Sequence, residues 1–189
     1  NNIFPKKNKT TFNTIEPPKI DSIEYKTYSI DPKGCRDIDD AISFKHLDNG
    51  HAEVGIHIAH VGKYINSFNS AFFSSVYLDE KQINMLEDDL SYNVLSLGNK
   101  QAKYSLSLIL TYNEEYKLVK NEFKETIVYN TALSYFEADN IIENIPRHDI
   151  SELHKFTKNK LNLNTLSSTK LVEHYIIFYN SQLAEKLYN

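Results

Sequence analysis

The stretch Ile30-Asp31-Pro32-Lys33-Gly34-Cys35-Arg36-Asp37-Ile38-Asp39-Asp40-Ala41 constrains what this chain can become more than any other. It places four aspartates within ten residues, so they repel one another unless a cation sits among them. Pro32 pushes Asp31 away from helical backbone and Gly34 lets the chain bend back. In an extended chain Asp37 and Asp39 share one face while Asp40 takes the other. The three therefore converge with Asp31 only if the backbone turns between them. An all-oxygen donor set of this kind suits Mg²⁺ or Mn²⁺. Two other readings compete. One is a plain acidic surface loop. The other is a calcium loop of EF-hand type, and it fails because Ala41 and Ile42 stand where a ligand and a glycine are required.

The pattern Asp-Pro-x-x-x-x-Asp-x-Asp-Asp-Ala, read here from Asp31 to Ala41, resembles the signature of the ribonuclease II/R family of exoribonucleases, whose catalytic unit is the RNB domain. Further blocks follow in order. Glu53-Val54-Gly55-Ile56-His57-Ile58-Ala59-His60-Val61 is similar to the family's Val-His-Ile-Ala-Asp-Val strand, with His60 where the family has an aspartate. Val76-Tyr77-Leu78, Ile83-Asn84-Met85-Leu86 and Leu90-Ser91-Tyr92-Asn93-Val94-Leu95-Ser96-Leu97 follow the family's succession, with prolines replaced at Asp79, Asn84 and Glu87. Thr131-Ala132-Leu133-Ser134-Tyr135 resembles Ala-x-Leu-Thr-Tyr. Leu171-Val172-Glu173-His174 resembles Leu-Val-Glu-Glu, with the second glutamate replaced by His174.

Composition bounds the rest. A chain of 189 residues with 41% apolar content can bury a real core and is most simply one domain. No apolar run approaches the length of a membrane span, and the polar amino terminus does not read as a secretory signal. The single cysteine, Cys35, allows no internal disulfide and suits a reducing intracellular compartment, the cytoplasm first and the nucleus second. As a nucleophile Cys35 is poorly placed, because neighbouring acids suppress thiolate; the family's residue here is small and apolar. A net charge of −4 gives no global basic field, so any nucleic-acid contact must be local.

Residues 1–24, with Lys6, Lys7, Lys9 and Pro17-Pro18, read as an extended arm or linker, and 25–189 as the amino-terminal half of an RNB-like domain. The expected fold is α+β: a mixed, mainly antiparallel sheet flanked by helices, with the last third helical. Ile42–Leu47 and Ala52–Val61 form a hairpin about Asn49-Gly50. Ser70–Tyr77 reads as a short helix. Lys103–Thr111 and Leu118–Val128 pair across Asn113-Glu114-Glu115. Helices run from Phe136 to Pro146, from Ile150 to Leu163, and from Thr169, where Leu171, Tyr175, Tyr179 and Leu183 share a stripe. His57 and His60 are open to two readings, core histidines or metal ligands.

What the resemblance implies is a Mg²⁺-dependent (or Mn²⁺-dependent) exoribonuclease working from the 3′ end of single-stranded RNA and releasing nucleoside 5′-monophosphates. Asp31, Asp37 and Asp40 would hold metal, and Asp39 would fix the terminal nucleotide or position a second ion and water. Tyr77 and Tyr135 would stack on bases, with Glu173 and Arg36 as further RNA contacts. The family domain normally continues into a His-rich loop and an arginine-bearing segment, so a carboxyl-terminal half or a larger RNA-processing complex is an implied partner. Two rival functions stand beside this one: a catalytically inactive RNA-binding scaffold, and a metal-dependent phosphodiesterase for DNA or small nucleotides.

Overall fold

Runs rich in Val, Ile, Thr and Tyr with alternating character supply strands through the first two thirds of the chain, and helical periodicity takes over at Tyr135. A computed structural model describes residues 11–13, 15–67, 75–78, 81–83 and 85–188. Strand β1 (Thr11–Phe12) precedes β2 (Tyr25–Asp31), β3 (Asp40–His46) and β4 (Ala52–Ala59). A single turn, α1 (Val61–Tyr64), leads into the short strands β5 (Ile65–Ser67), β6 (Val76–Leu78) and β7 (Lys81–Ile83). A π-helical segment at Leu90–Leu95 is followed by β8 (Ala102–Tyr112), β9 (Leu118–Ser134), α2 (Tyr135–Asn144), α3 (Asp149–Lys160) and α4 (Ser168–Tyr188).

The fold is the expected mixed, mainly antiparallel α+β arrangement, with one feature beyond it: the sheet closes. Strands β2, β3, β4, β8 and β9 form a barrel, antiparallel except where β2 runs parallel to β9. Strand β9 extends to Ser134, beyond the expected Val128, and those extra residues are the ones that pair with β2.

Closure splits each strand into two faces. One face carries Ile42, Phe44, Val54, Ile56, Leu108 and Leu110, which pack against Leu153, Phe156, Leu171 and Tyr175 of the helices. The other lines the barrel, and there the side chains are small and polar. His57, fully buried, bridges the Ser43 hydroxyl at 2.9 Å and the Ser107 hydroxyl at 2.7 Å. Ser105, Ser107 and Thr126 bond one another at 2.7–2.9 Å. Asn130 donates to Ser29 at 3.1 Å and accepts from Thr27 at 3.2 Å. Each of these buried groups has a partner, which is what makes a polar barrel interior tolerable. Burial drives the His57 pKa down to about 3, with the Lys124 charge adding to it, so the ring is neutral; with both ring nitrogens taken by serine hydroxyls it is a core histidine.

Two local expectations change. Val76–Leu78, expected at the end of a helix, is a strand paired with Lys81–Ile83; residues 68–74 of that helix lie outside the described residues. His60 ends the hairpin strand early: its Nδ1 accepts from the Lys63 amide at 3.2 Å and caps α1. Its Nε2 lies 3.3 Å from the Glu125 carboxylate. Within the arm, Thr11–Phe12 pairs with β5 and the Glu24 carboxylate accepts from the Ile127 amide at 3.2 Å. Residues 1–10 lie outside the described residues. No helix among the described residues is long and apolar enough to cross a membrane.

Gly55 is required by the barrel interior. A Cβ built there would sit 2.4 Å from both His57 Nε2 and Ser43 Oγ. Gly55→Ala is therefore expected to lower unfolding free energy by about 1–3 kcal/mol, as overpacking does, measured by urea denaturation of the two proteins at equal pH.

Candidate active site

The acid loop joins the end of β2 to the start of β3. Gly34, at φ +85°, takes a left-handed conformation, and the Cys35 amide closes the turn on the Pro32 carbonyl at 3.1 Å. Beyond the turn the chain is anchored by Ile38, which is 5% exposed and packs with Ala41, Ala59, Leu97 and Val128. The Ile38 carbonyl accepts from the Leu97 amide, and the Asp39 carbonyl from the Ala59 amide, both at 2.8 Å. With Ile38 fixed inward, alternation along extended backbone turns Asp37 and Asp39 to the opposite side. Tyr28 faces Ile42 across β2 and β3, and continuing that register brings Asp31 opposite Asp39.

Asp31 pairs in register with Ser134 of β9. Ser134 is the N-cap of α2 in a capping box with Glu137, so the chain turns from strand to helix at that residue. Tyr135, first in the helix, is thereby set beside Asp31. Asp31, Lys33, Cys35, Tyr135 and the 82% exposed Phe136 line one cleft of about 640 Å³. Asp37 and Asp39 open into a second, smaller cleft of about 240 Å³ with Met85 and Ser91.

Electrostatics mark this loop out. Asp40 is pushed up to about 7, first by burial and then by the Asp31 and Asp39 charges. Asp39 is pushed up to about 6 by the protein around it, then by Asp37 and Asp31. Solvent reaches Asp39 directly and screens it, so Asp40, the less accessible of the two, is the firmer case. Asp31 is raised by burial and by Asp37, against a lowering hydrogen bond from Ser29; its Oδ2 is buried without a hydrogen-bond partner. Burial and the same acids push the Cys35 thiol up to about 11, and its Sγ lies 3.6 Å from Asp37 Oδ1. It stays protonated, as the sequence indicates.

A hard divalent cation suits this set chemically: a buried carboxylate oxygen lacks a partner, and neighbouring acids raise one another. Asp31, Asp37, Asp39 and Asp40 come within electrostatic reach of one another. Among the described residues no three His, Cys, Asp or Glu side chains group closely enough to hold one ion.

The other expected residues fall in different places. The Arg36 guanidinium lies 4.4 Å from the centroid of the Tyr92 ring. Tyr77 is on β6, with its side chain outside the described residues. Glu173 is not brought to the acid loop. It pairs with Lys170 on α4 and lines a larger cleft of about 900 Å³ between the helices, with His154 and His174. That cleft, larger than the two at the acid loop, lacks the coupled carboxylates. Two features escaped the sequence reading. The capping box at Ser134 and Glu137 was legible as Ser-x-x-Glu before a helix. Ser96, a buried serine touching the acid loop, carries no signal as a residue type.

A polar-lined barrel with an acid loop at one end and helices on its outer face defines an RNB-type fold, and the RNB domain family matches residues 20–171; the chain belongs to that family. It is 37% identical to mouse (Mus musculus) exosome complex exonuclease RRP44 over 128 residues, covering 64% of this chain and 13% of the relative. Identity is 33% over 111 residues to ribonuclease R 2 of Lactococcus lactis, covering 56% of this chain and 17% of the relative. The chain thus spans less than a fifth of the length of these relatives. In three dimensions it resembles Mycoplasma genitalium RNase R in complex with ribose-methylated single-stranded RNA, with a TM-score of 0.63 and 20% identity over 72% of this chain and 23% of that one. It also resembles yeast Ssd1, a pseudonuclease, with a TM-score of 0.64 and 15% identity over 84% of this chain and 22% of that one.

Because Asp40 titrates higher folded than unfolded, its favourable contribution is full below about pH 4 and lost as pH rises through about 7. Asp40→Asn removes that penalty. At pH 8 the variant is expected to melt roughly 5 °C higher than the parent, at about 2–4 °C per kcal/mol for a chain of this size. At pH 4 the difference should vanish. Thermal melts across that range check both.

Proposed function

We propose that this chain is the catalytic-loop portion of a 3′-to-5′ hydrolytic exoribonuclease that acts on single-stranded RNA and releases nucleoside 5′-monophosphates. The observation that carries the proposal is the acid set Asp31, Asp37, Asp39 and Asp40, with Asp31, Asp39 and Asp40 raised by burial and neighbouring charge and Asp31 Oδ2 orphaned, on an RNB fold. The named exonuclease relatives support the same reading.

Asp31, Asp37 and Asp40 would hold Mg²⁺, or Mn²⁺ in its place, and Asp39 would position the terminal nucleotide. A divalent cation bound there neutralises the phosphodiester and acidifies a water. The chain's own residues do the rest. Tyr135 offers a ring at the Asp31 cleft, where stacking holds a terminal base without reading its identity. Tyr77, on the β6–β7 ribbon, would supply a second ring. Arg36, exposed and lying over the Tyr92 ring beside the acid loop, would contact a phosphate. Glu173, an RNA contact by the resemblance, lines the cleft between the helices and would meet RNA only away from the acid loop. An arginine for the reacting phosphate would come from a further segment or partner.

A second reading is a non-catalytic RNA-binding scaffold. It is favoured by the likeness in fold to yeast Ssd1, a pseudonuclease.

The test is a 5′-labelled single-stranded RNA incubated with Mg²⁺ and either this chain or Asp39→Asn, with DNA and a dinucleotide in parallel. A ladder that shortens from the 3′ end on RNA alone, and weakens by on the order of 10²-fold or more in the variant, is the expected outcome. RNA bound but left intact by both proteins would favour the scaffold. Cleavage of DNA or the dinucleotide instead would point to a phosphodiesterase.

A further inference from the structure

We infer that Ser96 is a positioning residue for the acid loop, its hydroxyl setting where Asp37 and Asp39 stand. The inference rests on the reading of those acids as the metal-holding group, and goes beyond it in naming what holds them.

Ser96 is 1% exposed and follows the π-helical segment Leu90–Leu95. Its Oγ donates to the Arg36 carbonyl at 3.0 Å and accepts from the Ile38 amide at 3.1 Å. One hydroxyl therefore spans the peptide groups on both sides of Asp37. It also lies 3.4 Å from the Gly98 amide, which ties the contact to its own loop. The next residue, Leu97, donates its amide to the Ile38 carbonyl at 2.8 Å, so both backbone groups of Ile38 are taken up by Ser96 and Leu97. A loop between two strands has no ladder partner of its own, and its buried polar groups must find one elsewhere. Here two residues from a segment some 60 positions away supply it.

The segment that carries Ser96 is itself held. The Ser96 amide closes back on the Ser91 carbonyl at 3.2 Å. The Lys103 ammonium, half-buried, donates to the Asn93 carbonyl and to the Val94 carbonyl at 3.2 Å. Arg36 stacks on Tyr92 of the same segment. The acid loop is thus bonded to a segment that is itself tied to β8. Side chains that fix the backbone of ligand-bearing loops are worth about 10–100-fold in metal affinity in general. Removing the Ser96 hydroxyl leaves the Arg36 carbonyl and Ile38 amide without their partner and loosens the backbone on both sides of Asp37.

The experiment compares the full chain with Ser96→Ala, Ser96→Cys and Ser151→Ala. Ser151 is a buried serine whose hydroxyl bonds the Ile141 carbonyl at 3.0 Å between α2 and α3, far along the chain from the loop, so its loss is a purely structural control. Two readouts are taken: Mn²⁺ affinity by calorimetric titration, and amide hydrogen exchange at Ile38 without metal. Ser96→Ala is expected to weaken Mn²⁺ binding by about tenfold or more and to speed Ile38 exchange by a similar factor. Ser96→Cys, with a weaker donor of similar size, should fall between and also serves if the alanine variant does not fold. Ser151→Ala should change neither. Unchanged Ile38 exchange and Mn²⁺ affinity in both Ser96 variants would overturn the positioning role. Equal losses in Ser96→Ala and Ser151→Ala would overturn it as well, showing only general destabilisation. Faster Ile38 exchange in Ser96→Ala, together with a parent chain that binds no Mn²⁺, would leave the clamp standing as a structural contact, and overturn both its role toward a metal and the metal reading itself.

Discussion

Parallel pairing of β2 with β9, from Tyr25 against Val128 to Asp31 against Ser134, is the contact on which the rest of the structure depends. Without it the strands would form an open sheet, and Ser29, Asn130 and Thr126 would line a surface rather than an interior. Closure encloses them, and the narrow space then demands small side chains that satisfy one another, with Gly55 giving way to the His57 ring. The same pairing puts the last residue of β2 beside the first turn of α2. Asp31 and Tyr135, about a hundred positions apart in the chain, become neighbours because their strands share a register.

The acid loop sits where this scaffold is least comfortable. Burial and like charge both favour protonation at Asp40 and Asp39, so the folded chain holds them against a cost that grows with pH. Groups placed at such expense are the usual mark of a functional site rather than of a stabilising network. The loop tolerates them because its backbone is fixed from outside: Ile38 is sunk among Leu97, Ala41 and Val128, and its peptide groups bond to Ser96 and Leu97. What would otherwise spread under repulsion is limited to side-chain motion.

Much of this was legible in the residues. The acid pattern from Asp31 to Asp40, the Asn49-Gly50 hairpin, the paired strands on either side of Asn113 and the three terminal helices follow from local spacing and turn chemistry, because such signals act within a few residues. The core reading of His57 agrees with its place in the barrel, whereas Val76 and Tyr77, expected at the end of a helix, lie in a strand. Tyr77 shows the limit of block matching: the motif located the residue but said nothing of the ribbon that bears it.

The sequence by itself determined the element types over most of the chain and the chemical character of the loop, four carboxylates within ten residues, because charge and periodicity are properties of the residues in order. Only the tertiary structure decided that the sheet closes, that Tyr135 joins Asp31 while Glu173 faces a different cleft, and that Ser96 grips the acid loop. These depend on register between distant strands and on single hydrogen bonds across some 60 positions of chain. A serine reads the same in sequence whether its hydroxyl meets water or a buried carbonyl.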